Sequence, residues 1–294
     1  MATITEKITQ FKSWLETAGL QEKKHQISGM KFCLSRECEK NPKYGIRGGI
    51  IADEMGLGKT ILMLGCIICN FRAPPAGDAA GAAGGKFNTL VVLPLALLTQ
   101  WEKIFEKFMG HTPLVYHGPK IKEITPKELA AAPVVLTTYG MIAKKNKREC
   151  RHISPLWGIQ WNRLIMDEAH HIRNQETGIF LGAKKIQANI RWMVTGTPIQ
   201  NKLEDFHSLC SILGLESAFL RNKEGIKDIV HHHLLRRTKT GVGIKLPTLN
   251  ETVITVPWAS VEEENLARQI HSQATFSRVH MGNVDEVIEM LTKT

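Results

Sequence analysis

Short apolar runs recur along the chain at residues 48–52, 89–93, 114–117, 134–138, 164–167 and 191–195, each followed by a turn or loop and then a helix-like stretch. Most of these runs are continuous rather than alternating, the pattern of strands buried on both faces of a parallel sheet. Strands that alternate with helices need crossover connections. The chain is therefore expected to fold as an α/β domain, with a mostly parallel sheet and helices on both faces. Its 294 residues suffice for one large domain or two small ones.

Helices precede that rhythm. Ile4, Ile8, Phe11 and Leu15 fall on one helical face, which Gly19 should end. A second helix is expected from about residue 25 to 39, stopped by Asn41-Pro42. Two segments interrupt the rhythm. Residues 73–85, rich in Ala, Gly and Pro, read as a surface loop, flexible to about residue 88. Residues 144–152 carry Lys144, Lys145, Lys147, Arg148 and Arg151 against Glu149, either a solvated basic loop or a nucleic-acid contact. After Pro257 the pattern turns helical, with Leu266, Ile270, Val287 and Leu291 and no new strand. The expected organisation is an N-terminal helix at 1–20, an α/β lobe at 21–257 and a helical extension at 258–294 whose end looks unfinished.

Charge narrows the partners. Lys and Arg number 38 against 28 Asp and Glu, a surplus of +10 that favours phosphate-bearing partners without dictating fold. An apolar fraction of 43% with 22% charged residues excludes collagen-like and largely disordered chains. The first residues lack the apolar core of a signal peptide. The longest apolar stretch, 90–98, is interrupted by Pro94 and falls short of the roughly twenty residues of a membrane span. Cys66 and Cys69 have zinc-like spacing, but they lie in an apolar helical run and no second such pair completes a tetrahedral site. Core packing is expected there, not structural zinc, and His231, His232 and His233 read as a surface helix turn. The features describe a reduced intracellular protein with no membrane partner.

The strongest local signal is residues 48–60, Gly-Gly-Ile-Ile-Ala-Asp-Glu-Met-Gly-Leu-Gly-Lys-Thr. An apolar strand ends at Ala52, a glycine-containing turn follows, and a helix starts at its end. Gly56 and Gly58 let backbone N–H groups approach phosphate oxygens without a Cβ in the way, and the helix N-terminus adds unpaired amides. Lys59 would reach the β- and γ-phosphates of a nucleotide, and the Thr60 hydroxyl would ligate Mg²⁺. Asp53, Glu54, Met55, Gly56, Leu57, Gly58, Lys59 and Thr60 are thus the candidate phosphate-binding residues. Asp53 is acidic where the general pattern wants a small residue, and a plain strand-to-helix turn is the competing reading.

Residues 163–170, Arg-Leu-Ile-Met-Asp-Glu-Ala-His, form an apolar strand ending in adjacent carboxylates. In a nucleotide hydrolase Asp167 would hold Mg²⁺, directly or through water, and Glu168 would orient and deprotonate the attacking water. Alone, the pair also suits a helix N-cap and first-turn acid. Another strand runs into a polar turn at 195–201, and neighbouring parallel strand ends would bring Thr195 and Thr197 near the carboxylates.

In order, Lys24-His-Gln26 with Gly29, residues 53–60, Leu90-Val-Val-Leu-Pro-Leu95 with Gln100-Trp101, Tyr116-His-Gly118, Leu136-Thr-Thr-Tyr139, Asp167-Glu-Ala-His-His-Ile-Arg-Asn174, Thr195-Gly-Thr-Pro-Ile-Gln-Asn201 and Leu234-Leu-Arg-Arg-Thr-Lys239 closely resemble one family. This is the sucrose-non-fermenting (Swi/Snf-type) group of helicase-like ATPases in helicase superfamily two. The resemblance covers about residues 20 to 260, and Asp53 is usual in that family.

The resemblance implies a RecA-like lobe, ATP and Mg²⁺ as cofactors, ATP hydrolysis stimulated by duplex DNA, and translocation along it in chromatin remodelling or DNA repair. It implies a nuclear location, and chromatin or a separate ATPase lobe as partners. Gln26 would read the adenine edge, although on its own it is only part of a polar helical face. Gln100, Trp101 and residues 137–139 would lie near the DNA-tracking surface, although Trp101 alone reads as a core or rim aromatic. Arg236 and Arg237 otherwise read as a solvated basic pair. Nothing after residue 260 resembles the second lobe, which supplies arginine fingers worth about 10³–10⁵ in rate. The lobe alone is therefore expected to bind ATP and hydrolyse it poorly. The alternative is a nucleotide-dependent DNA- or partner-binding module without turnover.

Overall fold

In chain order the elements are α1 (Ile4–Thr17), α2 (Lys24–Cys38), β1 (Gly48–Ile51), α3 (Lys59–Ile68), β2 (Thr89–Leu93), α4 (Leu95–Met109), β3 (Leu114–Tyr116), α5 (Pro126–Ala131), β4 (Val134–Thr138), α6 (Tyr139–Ile142), β5 (Gln160–Asp167), α7 (Gly178–Ala183), β6 (Gln187–Val194), α8 (Leu203–Leu213), α9 (Lys223–His233), β7 (Leu234–Leu235) and α10 (Val261–Arg278). The structure, a computed structural model, describes residues 3–70, 87–144, 154–199, 203–215, 219–244 and 257–278. The expected loop at 73–85 and all of the basic loop except Lys144 lie outside the described residues. The chain divides into two units, Met1–Lys245 and Leu246–Thr294. Within the second, α10 carries Glu262, Glu263 and Glu264 in its first turn, where the helix dipole favours acids.

In the first unit seven strands form one sheet in the order β3-β4-β2-β5-β6-β1-β7. Every pairing is parallel. Each strand expected from the apolar runs is present. Strands β5 and β6 start earlier than those runs, because their first residues are polar and partly exposed and leave no hydrophobic signal. Strand β7 was not expected: two leucines carry no periodicity.

Alternate residues of each strand enter opposite cores. Ile50, Leu90, Val92, Leu164, Met166 and Met193 face one side with Leu129, Ile142, Phe180, Phe206 and Ile229 of α5 to α9. Ile51, Val91, Leu93, Ile165, Trp192 and Val194 face the other with Phe11, Met30, Leu64 and Phe105 of α1 to α4. Two-sided burial explains the continuous apolar runs. Helix α1 is held in the second core by Phe11, Trp14 and Leu15, and a capping box of Thr3 and Glu6 starts it. Ile4 is exposed, while Trp14 joins the buried face.

Two features, one steric and one polar, fix the sheet. Strand β1 is squeezed between neighbours: a Cβ at Gly48 would sit 2.0 Å from the Arg191 carbonyl oxygen of β6, and one at Gly49 2.3 Å from that of His233. Arg163 of β5, fully buried, pairs with Glu37 of α2 through bonds of 2.6 and 2.8 Å. Trp192 Nε1 donates to the same carboxylate at 2.8 Å. Cys66 and Cys69 are buried in the α3 core, and burial pushes the Cys69 thiol up to about 12. Among the described residues no helix is long and apolar enough to cross a membrane.

Candidate functional site

Parallel strands deliver their C-terminal ends to one edge of the sheet, where ligands of α/β folds bind. Register brings three of these ends level: Asp167 of β5 is paired with Val194 of β6, and Val194 with Ile51 of β1. The segments that follow, Glu168 onward, Thr195 onward and Ala52 onward, therefore emerge side by side. The glycine-rich loop, the two carboxylates and the Thr195 turn thus lie at or after three level strand ends.

The loop from Ala52 to α3 turns on Gly56 and Gly58, both at φ +86°. Gly58 is the N-cap of α3 and no side chain caps that helix, so its first-turn amides are left to a ligand or solvent. Leu57 is buried and anchors the loop, whereas Met55 is exposed. Lys59 Nζ donates to the Asp53 carbonyl at 2.9 Å. A Cβ on Gly196 would lie 3.6 Å from that Nζ, so the turn after β6 rests against the lysine. Thr60 is half-buried on the first turn of α3.

Asp167 is a buried carboxylate with two donors. Trp101 Nε1 of α4 donates to Oδ2 at 2.7 Å, and the Glu168 amide donates to Oδ1 at 3.0 Å. The Tyr139 hydroxyl donates to the Asp167 carbonyl at 2.7 Å. Burial and the neighbouring Glu168 carboxylate raise the Asp167 pKa, outweighing the Trp101 bond that lowers it. Burial, then Asp167 and Glu168, push the Tyr139 phenol well up, so it remains a donor. Glu168 itself sits in the left-handed region, φ 48° and ψ 50°, a conformation non-glycine residues adopt only when surroundings enforce it. Its Oε2 lies 3.2 Å from His170 Nδ1.

Other predicted residues are placed as follows. Gln26 of α2 is buried, and a Cβ on Gly58 would fall 2.6 Å from its Nε2, so its amide covers the loop's last glycine. His25 Nε2 donates to the Leu57 carbonyl at 3.2 Å. The Asp53 side chain pairs with Arg237, and Glu54 accepts from the Lys239 amide at 2.7 Å. Thr195 is buried and accepts from the Thr197 amide, and Thr197 is exposed. Residues 200 and 201 lie outside the described residues.

Trp101, Thr137, Thr138 and Tyr139 are all buried, whereas Gln100 is exposed. Hydrogen bonds hold Trp101 and Tyr139 on Asp167, while Thr137 donates to the Tyr116 carbonyl at 2.9 Å. Sequence reasoning missed both supports, as well as Arg237 on Asp53. No sequence signal reports a hydrogen bond between residues so far apart.

The donor set suits a hard cation: a threonine hydroxyl and a carboxylate are oxygen ligands of the kind Mg²⁺ takes, few in number because phosphates and water supply the rest. Asp167 retains free lone pairs beyond its two donors.

A family model described as SNF2-related domain matches residues 25–222. The DNA repair protein RAD5B of Arabidopsis thaliana is 34% identical over 193 residues, covering 58% of this chain and 15% of that protein. A probable global transactivator of Orgyia pseudotsugata multicapsid polyhedrosis virus is 28% identical over 290 residues, covering 92% of this chain and 54% of its own. The solved Sulfolobus solfataricus SWI2/SNF2 ATPase core in complex with dsDNA aligns with a TM-score of 0.56 at 27% identity, covering 74% of this chain and 45% of that one. This chain thus spans about half of the viral relative and a small part of the plant one.

Proposed function

The chain belongs to the SNF2-related family, and from that premise we propose that it is the ATP-binding N-terminal lobe of a DNA-dependent ATPase that translocates on double-stranded DNA. The observation that carries the reading is the level row of Asp167, Val194 and Ile51, with the loop lysine beside the turn after β6 and close enough for its charge to act on Asp167. Phosphates would lie on the uncapped first turn of α3, with Lys59 leaving the Asp53 carbonyl to reach the β- and γ-phosphates. Gln26, already over Gly58, would read the adenine edge.

Thr60 and Asp167 would hold Mg²⁺. When bound, the metal neutralises phosphate charge and polarises the γ-phosphoryl group. Glu168 would orient and deprotonate the attacking water, and its side chain is partly exposed just beyond the strand end. Trp101 and Tyr139 keep Asp167 in place. The DNA-repair relative and the DNA-bound archaeal core support duplex DNA as the partner, a repair or chromatin role, and a nuclear site of action.

A second reading has one observation behind it: the chain aligns with 45% of the archaeal ATPase core. Residues that complete a hydrolytic cleft would then come from outside this sequence, and the lobe by itself would bind nucleotide and dock to DNA or a partner lobe without turnover. ATP turnover by the purified chain with and without duplex DNA separates the two. DNA-stimulated turnover abolished by Lys59→Ala and by Glu168→Gln supports the first; binding without turnover supports the second. Stimulation by single-stranded RNA alone contradicts the duplex-DNA reading.

A further inference from the structure

Three segments far apart in sequence meet at one guanidinium. Arg237, just after β7, donates Nε to Asp53 Oδ1 at 3.0 Å and pairs through its Nη2 with Asp53 Oδ2. Its Nη1 donates to the His25 carbonyl and, at 3.0 Å, to Ser28 Oγ. Asp53 is fully buried and begins the glycine-rich loop, while His25 and Ser28 lie in the first turns of α2. The same strand continues as a ladder along the loop: Ala52 N donates to Leu235 O at 2.7 Å, Glu54 N to Arg237 O at 2.9 Å, and Lys239 N to the Glu54 carboxylate at 2.7 Å. Helix α2 in turn reaches the loop through His25 on Leu57 and Gln26 over Gly58. Even Gly29 fits this arrangement, because a Cβ there would fall 2.8 Å from Arg237 Nη2.

We propose that Arg237 is a positioning residue for the nucleotide site: by clasping Asp53 and the start of α2 together, it sets the spacing between Gln26 and the phosphate loop. This deepens the reading of the site as a nucleotide pocket and rests on it. A buried carboxylate without its partner is strongly unfavourable. Losing Arg237 therefore forces Asp53 toward solvent, and the loop amides that face phosphate move with it. Arg237 lies beyond the segment matched by the family model, so the loop is closed by residues outside that segment. A lysine at 237 reaches Asp53 with one point charge but lacks the planar fork that engages both carboxylate oxygens and α2 together.

The test uses the full chain, with hydrogen exchange at the amides of residues 54–60 measured without nucleotide, and binding of a fluorescent ATP analogue measured with Mg²⁺. In Arg237→Met, at a temperature where circular dichroism matches the wild type, exchange at those amides should accelerate and nucleotide affinity should fall by about tenfold or more, the scale of a lost charge-assisted bond. Arg237→Lys should fall between. Adding Asp53→Asn to Arg237→Met should cost little further affinity, since the clasp is already broken. Unchanged exchange in the loop overturns the clasp, whether or not nucleotide binds. Should Arg237→Met fail to fold, Arg237→Lys carries the same test, and wild-type exchange and affinity there overturn the proposal. Failure of the nucleotide reading looks different: wild type and Lys59→Ala would then bind the analogue equally poorly, while the exchange result still decides the clasp.

Discussion

Trp101 and Asp167, 66 residues apart, are joined by an indole N–H that donates to the carboxylate at 2.7 Å inside the protein. An aromatic residue of α4 thereby sets which way the acid that ends β5 points. Trp101→Phe keeps the ring and deletes the donor, leaving a buried carboxylate oxygen unsatisfied. The expected loss of stability is about 1–3 kcal/mol, read by urea unfolding. Mg²⁺-dependent nucleotide affinity should fall as well, and unchanged values in both measurements would remove Trp101 from the account.

Asp167 also makes the fold sensitive to pH. Burial first, then the Glu168 charge, raises its pKa in the folded protein above the ordinary aspartate value. Between those two values the native state holds more protons than the unfolded chain. Stability from this group therefore falls as pH rises through the window, and the loss is complete above it. Asp167→Asn cannot ionise. Its melting temperature relative to wild type should climb with pH across the window and level off beyond it, while Mg²⁺-dependent hydrolysis is lost. A difference independent of pH would contradict the raised pKa.

Glu37 and Arg163 form a buried pair remote from the proposed chemistry, with Trp192 as a third member. Glu37→Leu strands a buried guanidinium and an indole donor, so destabilisation of about 3–5 kcal/mol is expected in denaturant unfolding. The double variant Glu37→Leu with Arg163→Met should recover much of that loss, because neither charge is then left alone. Equal loss in single and double variants would show that packing, not pairing, is at stake.

Duplex DNA binding, if it goes mainly to phosphate, should weaken steeply with salt. The logarithm of the binding constant should fall linearly with the logarithm of salt concentration. Titrations at several ionic strengths check this, and a flat response would argue against the nucleic-acid partner.

Much of this architecture was legible beforehand. Continuous runs such as 89–93 and 134–138 announce strands covered on both faces, and the strand-turn-helix at 48–60 announces its own geometry, because helix starts and glycine turns are local. Thr195 and Thr197 are expected near the carboxylates because neighbouring parallel strands end together, and the register sets the ends of β5, β6 and β1 level. Whatever depends on distant side chains was hidden. Trp101 reads by itself as a core or rim aromatic, but nothing in the sequence reports its bond to Asp167; Arg237 had a solvated reading and instead holds Asp53. Strand β7 is too short to carry a period, yet it places that arginine.

The most direct test of the central claim is calorimetric titration of the purified chain with ATP and Mg²⁺, wild type beside Lys59→Ala. Wild type should bind, and Lys59→Ala should bind at least about tenfold more weakly, as expected for losing a charged phosphate contact. Equal affinity in the two proteins, or no binding by either, would contradict that claim.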